Sequence, residues 1–318
     1  MMLTIRATVL IGAAALSAAA FGQAYKVVSS GKLLGEEALS VAFAPSGSQF
    51  VCGMSDNSVK IFDAKTRHTI KVLKGHTLPV RAVAWSPKGD KVASGAENAQ
   101  IRVWDVKSGT SVVMQQPGHI RPISHLAFDS TGKKLVSTGD DDTIRVWDIA
   151  TRKSTLLIKG GGINVYNARF DASGANIVAA SLGKGLIVYN AKSGAAAFAL
   201  SHPPGANDID LNSNFTRAVS AGRDGNLAFW DVKARKRITF LRGHTDWVVH
   251  TSISPSGAFA ASSSSDGTVI VWDLKALKPI SKLEGQSYMG SPLAWSASSG
   301  FLVTVASDNY LRIYTVTK

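Results

Sequence analysis

Histidine, serine and aspartate recur together along this 318-residue chain at a fixed spacing, and together they are the trio of a serine hydrolase. Counting back from an aromatic residue, a histidine stands 28 positions before, a serine 10 before and an acid or amide 6 before. His119, Ser137, Asp141 and Trp147 form one such set; His202, Ser220, Asp224 and Trp230 form a second. His244, Ser262, Asp266 and Trp272 form a third, and His76, Ser94, Asn98 and Trp104 repeat it with an amide in place of the acid. A serine nucleophile, a histidine base and an orienting carboxylate would carry acyl transfer. A nucleophile is needed once, however, and sets repeated at one spacing argue for architecture, so we expect no catalytic residue and no enzyme. No cluster has metal-ligand spacing and no glycine-rich phosphate loop is present, so no metal and no cofactor is expected. The single cysteine, Cys52, excludes an internal disulfide and a cysteine-based zinc site.

The elements that would position these sets are legible from the same register. The marking aromatics are Phe62, Trp104, Trp147, Tyr189, Trp230, Trp272 and Tyr314, at intervals of 42, 43, 42, 41, 42 and 42 residues. Apolar residues stand one and three positions before each, as in Ile101 and Val103 or Val269 and Val271. That period of two, mostly β-branched, is a strand, and the aromatic on its other face means burial on both sides. Gly47, Gly89, Gly132, Gly174 and Gly257 lie 15 before the aromatic, several in Pro-x-Gly turns that separate two strands. Each unit therefore holds about four short strands and cannot bury its faces alone.

The Gly-His pairs at Gly75-His76, Gly118-His119 and Gly243-His244, each pair's histidine 28 before a Trp-Asp, resemble the WD repeat. The resemblance covers Tyr25 to Lys318 and implies an all-β, seven-bladed β-propeller of four-stranded blades around a central channel. It also implies that the His, Ser, Asp and Trp sets are buried hydrogen-bond networks tying loops to the third strand of a blade. The last repeat lacks an outer strand and Tyr25–Ser30 belongs to no complete unit, so we expect Tyr25–Ser30 to pair with Tyr310–Val316 and close the ring. The fourth repeat lacks all four network members, holding Gly161, Ala179, Gly183 and Tyr189 instead. With its Gly160-Gly161-Gly162 run, it is expected to be mobile there and to depart from regular geometry.

Members of the WD family often bind partners on the face bearing the loop after Gly-His and the loop holding the network Asp. Positions here that match are Arg81, Tyr166, Trp247 and Met289, with Glu97, Asp140, Leu182 and Arg223. Trp247 is expected to be exposed, with Arg223 of the preceding blade beside it, a pairing common in interface anchors. The turns after the Trp-Asp column form a different surface: Lys65, Arg67, Lys107, Arg152, Lys153, Lys192, Lys233, Arg235, Lys236, Arg237, Lys275 and Lys278, against five column aspartates. These predict a basic ring on the opposite face.

The resulting expectation is a protein-interaction scaffold that works as a monomer. One alternative is docking of the basic ring on an anionic polymer or lipid of the cell envelope; another is an enzyme in the channel, for which His125 and His250 on first strands are the histidines to check. Nucleic acid is disfavoured because the basic turns lack interleaved aromatics. The net charge of +13 admits anionic partners without identifying one. Residues 1–24 read as a cleaved signal peptide, and 25–318 as the propeller: Arg6 precedes the apolar run Ala7–Phe21, with cleavage after Ala20 or Ala24. That run of 15 residues is too short to span a bilayer, which needs about 20. An alanine-rich leader of this kind predicts an exported bacterial protein, periplasmic or secreted.

Overall fold

A computed structural model describes residues 26–160, 164–285, 292–305 and 309–317. The strands among them form seven antiparallel sheets of four, a seven-bladed propeller. Residues 38–73, 80–113, 123–159, 165–200, 206–242 and 248–283 are blades 1 to 6, each four consecutive strands. Blade 7 takes three strands from residues 293–317 and its outer strand, Lys26–Leu33, from the other end of the chain. There Lys26 pairs with Thr317 and Leu33 with Tyr310, and Leu34 N–H donates to Asn309 O at 2.7 Å. The closing strand thus runs three residues past the expected Ser30, while Tyr25 and the leader 1–24 lie outside the described residues.

The core is divided among the blade contacts. Seven apolar clusters each draw on two neighbouring blades, as when Val136 and Ile144 of blade 3 meet Ile177 and Tyr189 of blade 4. The marking aromatic is buried in all seven. A blade therefore has no stable face of its own, which is why the unit repeats. Blade 4 keeps the same pairing and bulges as the others, contrary to the expected departure. The physical reason is that all its network members are replaced together: Ala179 and Tyr189 pack into the apolar cluster and leave no polar group stranded. Gly161 and Gly162 lie outside the described residues.

One irregularity positions the functional groups. The inner strands of blades 1 to 6 are Ala38–Phe43, Val80–Trp85, Ile123–Phe128, Val165–Phe170, Ala206–Leu211 and Val248–Ile253. In all six the register slips at the same place, between Val80 and Ala82 in blade 2 and between Val165 and Asn167 in blade 4, for example. The residue skipped is Leu39, Arg81, Ser124, Tyr166, Asn207 or Val249. A bulge of this kind bends the strand and re-aims a side chain, and all six of these residues line the central cavity.

Candidate functional site: the channel and its two faces

The repeated triads close as buried struts. In blade 3 the His119 ring reaches Ser137 Oγ from Nε2 at 2.7 Å and Asp141 Oδ1 from Nδ1 at 2.9 Å, while Trp147 Nε1 donates to the same Ser137 Oγ at 2.8 Å. Blade 6 repeats it with His244 Nε2 at 2.8 Å from Ser262, Nδ1 at 3.1 Å from Asp266 and Trp272 Nε1 on Ser262 at 2.8 Å. These are hydrolase geometries without access, because Ser137 and Ser262 are fully buried and already accept a tryptophan N–H. Burial works against the Asp266 carboxylate, yet hydrogen bonds from Thr268, Thr245 N–H and His244 bring it down to about 2.

A fifth member, absent from the sequence reading, decides whether a set closes. Thr143 and Thr268, four residues before the tryptophan, donate to the aspartate at 2.6 Å in the two complete networks. In blade 5 that place holds Asn226, whose amide takes Asp224 Oδ2 at 2.6 Å; the His202 ring is turned so that Nδ1 meets Ser220, and Asp224 stands 3.4 Å off with no hydrogen bond to Nε2. In blade 2 Asn98 donates to Thr77 Oγ1 instead, leaving His76 Nδ1 buried without a partner among the described residues. The sets of blades 5 and 2 are therefore only partly joined. The signal was a threonine column offset by four, which the search for triads passes over.

On the Gly-His face the contact positions gather into two groups. Arg81 Nη1 meets Asp140 Oδ2 at 3.0 Å, and Ser124 Oγ donates to the other oxygen at 2.7 Å. Across the mouth, Arg223 lies 4.5 Å over the Trp247 ring, with its Nε donating to Asn207 Oδ1 at 3.1 Å. Trp247 is 48% exposed, as its place in the loop predicts. Tyr166 sits between the groups, half-buried at the channel wall. Glu97 and Leu182 join neither: the first is exposed and the second half-buried, each held by its backbone N–H, to Pro79 O and Asn164 O. Met289 lies outside the described residues. Ser124 and Asn207 were missed although they share the column of Arg81 and Tyr166, 23 before the aromatic. So were Leu78 and Ile120, exposed apolar residues of the same loops.

Between the inner strands lies a cavity of about 830 Å³. Its walls are unequal. Twenty positions before the aromatic, blades 1, 2, 3 and 7 carry Ala42, Ala84, Ala127 and Ala294, whereas blades 4, 5 and 6 carry Arg169, Asp210 and Ser252. Twenty-two before, His125, Asn167, Asp208 and His250 continue one polar arc through blades 3 to 6. The carboxylates stitch blades together: Asp208 accepts from Thr251 N–H at 2.9 Å and Ile209 N–H at 2.8 Å, and is bonded by Asn167. Asp210 accepts from Ile253 N–H at 3.0 Å and Ser252 Oγ at 3.1 Å, and pairs with Arg169 Nε at 3.2 Å. Burial raises Asp210; the same burial is outweighed at Asp208 by His250 and Thr251 N–H, which hold it low. Burial, then Arg169, drives His125 down to about 3, so its ring is neutral at physiological pH. His125 and His250 thus lie beside the non-repeating carboxylates Asp208 and Asp210, which carry no motif of their own and stand out only against the other residues 22 and 20 before the aromatic.

The opposite face carries the basic turns. Each is capped by its column residue, as where Asp105 accepts Ser108 N–H and Asp148 accepts Thr151 N–H, both at 2.7 Å. All of the twelve lysines and arginines are exposed except Arg67, which is half-buried. Arg235 and Arg237 are partly drawn onto rings, 4.4 Å over Phe198 and 3.9 Å over Phe240. Among the described residues no group of three acidic, histidine or cysteine side chains is arranged to hold a metal, and no helix is long and apolar enough to cross a membrane.

Residues 14–184 match the family described as nucleolar protein 10-like, N-terminal domain, a β-propeller, and residues 235–273 match the WD domain, G-beta repeat. The first match begins inside the segment read as a leader. Among curated proteins, the transcriptional corepressor LEUNIG_HOMOLOG of Arabidopsis thaliana is 38% identical over 73 residues, 23% of this chain and 9% of that protein. WD repeat-containing protein SL1-17 of Schistosoma mansoni is 35% identical over 82 residues, 26% of this chain and 27% of that protein. Serine-threonine kinase receptor-associated protein of Dictyostelium discoideum is 42% identical over 60 residues, 19% and 20% of the two. The matched stretches thus span about a quarter or less of each relative, the length of roughly two blades.

Proposed function

The chain belongs to the nucleolar-protein-10-like N-terminal-domain family of WD-repeat propellers, and from that premise we propose that it is a monomeric protein-interaction scaffold with no catalysis of its own. One observation carries the reading: Trp247 lies half-exposed under the Arg223 guanidinium on a face where Leu78 and Ile120 also present apolar surface. A cation held over an indole is an ordered anchor, and its partner would complete the burial of both groups. The comparisons supply the class of protein, and the partner is read from this chemistry alone. Crosslinked pull-downs with wild type, Trp247→Ala and Arg223→Glu test it. Proteins captured by wild type and lost in both variants support the face; equal capture by all three rejects it.

A second reading rests on the basic turns. The column aspartates keep their charge while they cap the turns, but twelve lysines and arginines outnumber the five of them, so the rim remains positive. We propose that this rim docks on an anionic polymer or lipid. Binding to vesicles carrying anionic lipid should then fall steeply between low and high salt, because exposed charges are screened over about 8 Å at physiological ionic strength. Attachment indifferent to salt removes the idea.

Export through residues 1–24 is part of the same proposal and is supported by the apolar run Ala7–Phe21. Mass spectrometry of the protein from its native cell tests it: a mature N-terminus at Phe21 or Tyr25 supports a leader, and an intact Met1 or Met2 rejects one.

A further inference from the structure

The channel is asymmetric in a way that the blade architecture does not need. Blades 7, 1, 2 and 3 pair an alanine with a following aromatic, giving Trp295, Phe43, Trp85 and Phe128 along one wall. In blades 4, 5 and 6 the alanine is replaced by Arg169, Asp210 and Ser252. A propeller closed for stability alone would fill this level alike in every blade. Here the small residues leave space in front of the Arg169 guanidinium, the deepest-set of the three that line the cavity, with Arg81 and Arg223, by its place on the inner-strand level of the alanines.

Arg169 is held for a purpose that its own bonds do not exhaust. Its Nε is committed to the next blade, 3.2 Å from Asp210 Oδ1 and 3.4 Å from Ile209 O. Asp210 is itself occupied by Leu211 N–H, Ile253 N–H and Ser252 Oγ, so the arginine is braced by a group that cannot follow it. The Nη groups have no hydrogen bond among the described residues, and the side chain is 35% exposed beside the cavity. A planar fork with its stem fixed is the donor that binds a carboxylate in two parallel hydrogen bonds. The facing wall is aromatic and alanine, and about 830 Å³ lies in the range of small-molecule sites.

We propose that the channel binds a small aromatic carboxylate, its acid group on the Arg169 fork and its ring against the Phe43, Trp85 and Phe128 wall. The net charge of +13 favours entry of an anion. Arg223 and Trp247 line the mouth of the same cavity, but binding at Arg169 does not depend on a protein partner being found there.

Titration calorimetry with 3-phenylpropanoate tests the proposal, with 3-phenylpropanamide as the neutral isostere. The full chain should bind the acid at one saturable site and the amide at least tenfold more weakly. Arg169→Gln should weaken the acid at least tenfold and leave the amide nearly unchanged. Because Arg169 also braces two blades, a second variant is needed that leaves it alone: Ala84→Leu on the opposite wall, which should weaken both compounds together. The proposal is overturned if the acid shows no saturable binding to wild type, if the amide binds equally, or if a folded Ala84→Leu binds both as before.

Discussion

His76 shows how one side chain sets local stability. Its ring is held by Ser94 on one nitrogen, while the other is buried with no partner among the described residues. Blades 3 and 6 show what is missing, an aspartate supported by a threonine. The double substitution Asn98→Asp with Gln100→Thr should close the network and stabilise the protein by about 1–3 kcal/mol, the cost of leaving a buried polar group unpaired. A urea midpoint no higher than wild type would show that the blade cannot adopt the complete form. The same ring makes a pH prediction. Burial and then Arg102 lower His76 from 6.5 to about 4. The unfolded chain therefore takes up its proton first, and stability present above pH 6.5 is lost as pH falls through about 4. Urea midpoints at pH 7, 5.5 and 4.5 should decline for wild type and decline less for the double variant, whose new carboxylate raises the histidine.

Turns decide the elements, and most of them were legible as glycines. Gly47, Gly89, Gly132, Gly174 and Gly257 all have positive φ, from 69° to 74°, as the turn between first and second strands requires. Blades 5 and 7 fill the same position with Phe215 at 65° and Ser299 at 60°, which the glycine column could not reveal. The turn between second and third strands has a similar place, glycine in blades 5 and 6 but Ala99 at 64° in blade 2. A Cβ in this left-handed region costs about 1–2 kcal/mol, offset in part by the greater freedom of glycine when unfolded. Ala99→Gly should therefore stabilise by about 0.5–1 kcal/mol, read from the thermal midpoint; a lowered midpoint would mean that the turn is not strained. The inner-strand bulges are the counterexample. Nothing in the local residue types marks them, because the extra residue is polar in some blades and apolar in others. Spacing places Arg81, Ser124 and Asn207 in one column, and the pairing register adds that each is the bulged residue of its strand. That is why the mouth of the channel was only half-foreseen.

For the molecule as a whole, the number of blades and the closure followed from spacing, because a fixed interval of about 42 residues leaves little freedom in where each strand lies. The channel did not follow, since its polar arc exists only when inner strands of different blades are set side by side. The ring also makes stability indivisible. Every apolar cluster is shared by two blades, including the one that joins blade 7 to blade 1 through Val303, Leu311, Phe50 and Phe62. Removing residues 25–33 would take away the eight registered pairs of the closing strand and leave Tyr310–Thr317 as an open edge. Blade 7 would then be a three-stranded sheet, its first strand only the three residues Leu293–Trp295, too little to hold blades 6 and 1 together. The truncated chain should lose its cooperative thermal transition, and a synthetic peptide of residues 25–33 added in excess should restore part of it by supplying the missing strand. If the truncated chain melted as the full chain does, the propeller would be held by its inter-blade clusters alone and closure would contribute only shape.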